Sequence, residues 1–136
     1  MLLSTGIDIV EISTIEQLIG ACGDRFLHRV YTLSEIRYCH QKFNCPQHFA
    51  VRFAAKEAVM KALGCGWSRG VQWKQIEVVN NESGKPEIVL TGKALEIYNM
   101  HKAGGITLSV SHSNNFAVAS VVMVLGHAQL ETAQAG

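Results

Sequence analysis

From Gln47 to Leu63, apolar side chains occupy nearly every direction of a helical projection. Phe49, Val51, Phe53, Val59, Met60 and Leu63 surround the cylinder, and nothing breaks the run before Gly64. Pro46 suits the first turn of such a helix, where its missing N–H has no intrahelical partner. The pattern predicts a helix largely enclosed by protein, with no clean wet face. Its charges, Arg52, Lys56, Glu57 and Lys61, therefore need partners.

The chain on either side is patterned differently. Leu2 to Ile12 is rich in β-branched residues and predicts a strand, with Gly6, Asp8, Val10 and Ile12 on one face and Ile7 and Ile9 on the other. Ser13-Thr14-Ile15-Glu16 and Thr32-Leu33-Ser34-Glu35 read as capping boxes. They open helices to about Cys22 and toward Lys42, separated by a basic turn from Arg25 to Arg29. Val71–Val79 and Lys85–Leu90 predict a hairpin around Asn80–Gly84. Thr91 can cap a helix from Gly92 to about Lys102. Ile106–His112 and Phe116–Leu125 predict a second hairpin around Ser113-Asn114-Asn115. Helices and hairpins without a regular strand–helix–strand alternation point to an α+β fold: an antiparallel sheet with one long buried helix, a single domain over residues 1–125, and a frayed tail over 126–136. No Gly-x-Gly-x-x-Gly is present, which disfavours a Rossmann type.

Composition narrows the class. With 48% apolar and 17% charged residues in 136, the chain can build one ordinary core, and a disordered, highly charged chain is excluded. The net charge of +1 hides a strong asymmetry, since residues 1–24 carry four acids and no base, whereas residues 25–74 carry nine bases and two acids. A basic block in a neutral chain fits an anionic ligand or an acidic protein surface better than nucleic-acid coating; a solvated face is the plain alternative. Cys22, Cys39, Cys45 and Cys65 follow no secretory signal and read as reduced, cytoplasmic thiols. The longest apolar stretch, Phe116 to Leu125, is about half of what a membrane span needs.

Candidate chemistry gathers at three places. Asp8 in an apolar strand is poorly hydrated and should be paired, protonated or bound to a cation, unless the strand end is exposed. Glu57 and Lys61 lie one turn apart on a stripe flanked by Ala50 and Ala54, either as a site wall or as an ordinary i, i+4 pair. If Asp8 and Glu57 converge, two hard oxygen ligands suit Mg²⁺ completed by substrate phosphates, which Lys61 could help to neutralise. His112, between Ser111 and Ser113 at a strand end, can bind phosphate or shuttle protons, or is merely structural. Cys39, His40, Cys45 and His48 offer soft ligands for zinc, but at poor spacing, with no Cys-x-x-Cys knuckle.

Three segments together carry a resemblance: Gly6-Ile7-Asp8-Ile9-Val10-Glu11, Arg52-Phe53-Ala54-Ala55-Lys56-Glu57-Ala58-Val59-Met60-Lys61-Ala62, and Ser111-His112-Ser113. With Gly84-Lys85-Pro86 before a strand, the chain from about Leu3 to Val124 resembles the holo-acyl-carrier-protein synthase family, the small stand-alone 4′-phosphopantetheinyl transferases. The resemblance implies an Mg²⁺-dependent enzyme of fatty acid biosynthesis. It would transfer 4′-phosphopantetheine from coenzyme A to a serine of apo-acyl carrier protein, release 3′,5′-ADP, and form its active sites between subunits of a homotrimer. By position, Asp8 and Glu57 would hold the metal, and Glu57 and Lys61 would be the catalytic pair, Lys61 also facing the phosphates. His112, Arg52, Ser111 and Ser113 would contact the nucleotide end of coenzyme A, with Gly64 and Gly66 lining the loop over the adenine. The serine proton would leave to Glu57 or to a metal-linked water.

The basic block then suits an acidic carrier protein, docked by Arg25, Arg29 and nearby bases. Many members of the family carry Arg where this chain has Thr14, so a changed carrier preference is expected. A non-catalytic, homo-oligomeric nucleotide-binding module is the alternative, and a small zinc-bound interaction domain is a third.

Overall fold

A computed structural model describes residues 1–64 and 70–126. Strand β1 (Leu3–Glu11) leads into helices α1 (Ile12–Cys22), α2 (Asp24–Val30), α3 (Leu33–His40) and the 19-residue α4 (Cys45–Leu63). A single 3₁₀ turn (Trp73–Gln75) precedes β2 (Ile76–Asn80) and β3 (Pro86–Leu90); α5 (Gly92–Met100), β4 (Gly105–His112) and β5 (Phe116–Val124) complete the fold. The strands form two antiparallel sheets, one ordered β1-β5-β4 and the other the β2–β3 hairpin. The result is the expected α+β class.

Helix α4 lies across the inner face of the larger sheet, against β1 and β5. Ala54, Ala55, Ala58, Val59 and Leu63 of the helix are buried, as are Ala117, Ala119, Val121 and Met123 of β5. Small residues on both sides bring the two backbones close, and Gly6 is the extreme case. A Cβ there would lie 1.9 Å from the carbonyl oxygen of Ala58. The Ser4 hydroxyl donates to the Ala62 carbonyl and ties the same strand to the next turn of the helix.

The buried charges of α4 do find partners. Lys56 Nζ lies 2.7 Å from Glu35 Oε1, with both side chains fully buried, and also donates to the carbonyls of Trp73 and Ile76. Burial pushes the Lys56 ammonium pKa down, and the charge of Glu35 opposes that shift. Glu35 in turn accepts from the backbone N–H of Thr32 and of Val78. One ion pair thus joins α3, α4, the 3₁₀ turn and β2.

Several expectations are corrected. The first helix starts at Ile12 with Glu11 as its N-cap, so Ser13 lies inside it and the Ser13–Glu16 capping box is not made. The Thr32–Glu35 box is made, with both reciprocal bonds present. The basic turn Arg25–Arg29 is a helix, α2, whose apolar Leu27 and Val30 are buried. The strand expected from Val71 begins only at Ile76, because the 3₁₀ turn occupies residues 73–75. Thr91 is an N-cap by position but makes no side-chain cap bond. Cys65, Gly66 and the tail from residue 127 lie outside the described residues.

Candidate active site

Period-two alternation in β1 turns Gly6, Asp8 and Val10 toward α4, while Ile7 and Ile9 face outward, each 64% exposed. Because Gly6 lets the strand approach so closely, Asp8 reaches the turn of α4 that carries Glu57 and Lys61. Lys61 Nζ donates to the Ile7 carbonyl at 2.8 Å and lies 3.3 Å from Asp8 Oδ1, so its ion pair is with the strand, not with Glu57 one turn back. Asp8 is hydrogen-bonded to Glu57, and the Glu57 carboxyl is pushed up to about 7, first by burial and then by the charge of Asp8. A cavity of about 350 Å³ opens beside Asp8 and Lys61, its remaining lining being Ile7, Ile9 and Val118.

The raised Glu57 has a testable sign. Between its ordinary value near 4.5 and about 7 the folded chain holds a proton that the unfolded chain has released, so this group lowers stability as pH rises through that window. Asp8→Asn removes the like charge but not the burial. The Glu57 pKa should fall below 7 yet stay above the ordinary carboxylate range. A carbon-detected NMR titration of the Glu57 side chain reads this directly, and an unshifted pKa would contradict the arrangement.

Two converging carboxylates that resist ionising together are a donor set that could hold a hard divalent cation such as Mg²⁺. The zinc alternative fares worse. Cys39 is fully buried in the core and its thiol is pushed up to about 12 by burial, so it is not poised to ligate. Cys45 Sγ donates to the Lys42 carbonyl, and the His40 ring packs edge-on against Phe49. Among the described residues no group of three or more His, Cys, Asp or Glu side chains is placed to hold a metal.

Of the nucleotide-end candidates, Arg52 and His112 lie toward the first half of α4, whereas Gly64 caps its opposite end and does not join them. Val110 of β4 and Asp8 of β1 both pair with Ala119 of β5, which puts His112 two strands and two residues from Asp8, roughly 12 Å by strand spacing. The His112 ring is held by Gln47 at the start of α4, Nε2 to Nε2 at 2.9 Å. Arg52 is 4% exposed, donates to Asn80 Oδ1 at 2.8 Å and stacks on the Tyr38 ring with Cζ 4.0 Å from its centroid. Ser113 Oγ is used within its own turn, accepting from the N–H groups of Asn115 and Phe116, and Ser111 is exposed on β4. Gly64 ends α4 in the left-handed conformation at φ 70°, next to Leu63, whose carbonyl accepts from His101 Nε2. Tyr38, Gln47 and Asn80 had no motif to mark them; only the fold brings them to Arg52 and His112. Arg25 and Arg29 lie on the exposed side of α2, and Thr14 is exposed on α1.

Comparison with known proteins adds a further layer. The description of the 4′-phosphopantetheinyl transferase superfamily matches residues 4–120. A holo-[acyl-carrier-protein] synthase from Koribacter versatilis is 50% identical over 123 residues, covering 90% of this chain and 98% of that protein. The solved holo-[acyl-carrier-protein] synthase from Neisseria meningitidis superposes with a TM-score of 0.81 at 30% identity, covering 88% of this chain and 96% of the other. The Helicobacter pylori holo-[acyl-carrier-protein] synthase, solved in complex with coenzyme A, superposes with a TM-score of 0.75 at 32% identity, over 90% and 99%.

Proposed function

The chain belongs to the 4′-phosphopantetheinyl transferase superfamily, and from that premise we propose that it moves the 4′-phosphopantetheine group of coenzyme A onto a serine hydroxyl of an apo-acyl carrier protein. The products are the holo-carrier, which serves fatty acid biosynthesis in the cytoplasm, and 3′,5′-ADP. The observation that carries this reading is the meeting of Asp8 with both Glu57 and Lys61 beside a cavity that Asp8 and Lys61 line.

In the reaction the serine oxygen bonds to the β-phosphorus of the pyrophosphate, the bond from that phosphorus to the bridging oxygen breaks, and 3′,5′-ADP leaves with the electron pair. Asp8 and Glu57 would hold Mg²⁺, which when bound would supply charge stabilisation at the phosphate oxygens. Glu57, beside the position the cation would take, is the titratable side chain placed to take the serine proton. Lys61, held by the Ile7 carbonyl and Asp8, presents a fixed cation to the leaving phosphate. Most of the remaining work is positioning the two substrates. Arg52, His112, Ser111, Ser113, Gly64 and Gly66 serve the nucleotide end, and Arg25 and Arg29 dock the acidic carrier.

Lys61→Met tests this assignment. It should lower kcat by about ten- to a hundredfold with little change in melting temperature, and an unchanged rate would remove Lys61 from the mechanism. Assembly belongs to the same reading. Ile7 and Ile9 expose an apolar face beside the cavity, of the kind a subunit interface covers. A homotrimer with sites between subunits covers that face and supplies a neighbour's nucleotide-end residues. Light scattering should give three times the 14.9 kDa chain mass, and a monomer at working concentration would contradict it.

A further inference from the structure

The junction of α3 and α4 holds two cations on one aromatic ring. Arg52 Cζ lies 4.0 Å and Lys42 Nζ 4.8 Å from the centroid of the Tyr38 ring, and the His48 ring meets Tyr38 edge-on at 5.9 Å. Among the described residues neither cation is in an ion pair, since the salt bridges there are Lys56–Glu35, Lys61–Asp8 and Lys93–Glu96. Arg52 is also nearly covered, and its Nε has no hydrogen-bond partner. A buried guanidinium without a carboxylate is costly unless something else offsets its charge. Among the described residues, the Tyr38 π-face and the Asn80 amide oxygen do so. The local field depresses His48 as well: after burial, the causes are the charges of Arg52, Lys42 and His112.

We propose that Tyr38 is a positioning residue for the donor substrate: its ring holds Lys42 at the surface and Arg52 beneath as one cationic unit that binds a phosphate at the nucleotide end. Lys42, exposed on the turn after α3, meets the phosphate directly. Arg52 adds its charge from under the ring, where low dielectric strengthens it. Without the ring, Lys42 returns to water and Arg52 loses the face that fixes its plane. The proposal rests on the reading of this cluster as the nucleotide end.

Calorimetric titration with 3′,5′-ADP at fixed ionic strength tests it. Tyr38→Leu should bind about tenfold more weakly than the native chain, the loss expected for a desolvated cation–π contact. Tyr38→Phe, which keeps the ring, should retain native affinity. In a Lys42→Gln/Arg52→Gln background, Tyr38→Leu should cause no further loss, whereas a purely structural role would cost the same again. Lys42→Gln alone, on an exposed turn and no threat to folding, should bind several-fold more weakly. Native affinity in Tyr38→Leu or in Lys42→Gln, an additive loss, or a native chain that does not bind 3′,5′-ADP would overturn the proposal. Carrier modification on the same samples separates the two failures. Transfer by a native chain whose affinity ignores Tyr38 sinks only the positioning role. The absence of transfer with the predicted affinity pattern intact sinks only the transferase reading.

Discussion

Lys56→Met should cost about 3–5 kcal/mol of stability, enough to unfold much of the population of a domain this size. The reason lies in what is left behind. Glu35 is fully buried, and the Lys56 ammonium 2.7 Å away is the charge that offsets its own. Removing the lysine strands that carboxylate in the core and also deprives the Trp73 and Ile76 carbonyls of a donor. Replacing both members, Glu35→Leu with Lys56→Met, removes the unpaired charge and should regain part of the loss. It cannot regain all of it, because the N–H groups of Thr32 and Val78 lose their acceptor. Urea denaturation of the two variants decides the matter, and a single variant within 1 kcal/mol of the native chain would contradict the account.

Gly6→Ala should be nearly as severe and should reach the chemistry too. The added Cβ would lie 1.9 Å from the Ala58 carbonyl oxygen and 2.9 Å from the Ala62 backbone nitrogen, both in the helix backbone, so no side-chain rotation relieves the clash. Either β1 or α4 must shift by more than 1 Å, at a cost of about 3 kcal/mol or more. Strand β1 carries Asp8 two residues later, and the shift parts Asp8 from Glu57. Where the variant still folds, transfer should fall by at least a hundredfold, in line with the sensitivity of positioned reactions to displacements of this size. Normal turnover in a stable Gly6→Ala protein would show that the close approach does not set the site.

Much of this could be read from residue order, and the exceptions have physical causes. The all-round apolar projection of residues 47–63 predicts an enclosed helix, and α4 is one, because that feature is local and repeated over five turns. The two faces of β1 follow from alternation, so Asp8 was legible as an inward carboxylate in need of a partner. The Thr32–Glu35 box was legible, but the second task of Glu35, pairing with Lys56, depends on a contact between α3 and α4 that no spacing reveals. The Ser13 box failed because β1 hands directly over to α1 at Ile12, whose N–H is already bonded to the Asn115 carbonyl. Residues 71–75 look like strand by composition, yet Trp73 and Gln75 close a 3₁₀ turn whose carbonyl at Trp73 accepts from Lys56. Within the site, Asp8, Glu57 and Lys61 carried motif signals. Tyr38, Gln47 and Asn80 did not, since each matters only through a long-range neighbour.

The most direct test of the central claim is the intact mass of an apo-acyl carrier protein after incubation with this chain, coenzyme A and Mg²⁺, with and without a chelator. The account predicts a gain of one phosphopantetheine on a serine, abolished by the chelator and by Glu57→Ala in a protein that remains folded. No gain on any of several apo-carriers, with folded protein that binds 3′,5′-ADP, would contradict it and leave a nucleotide-binding module in its place.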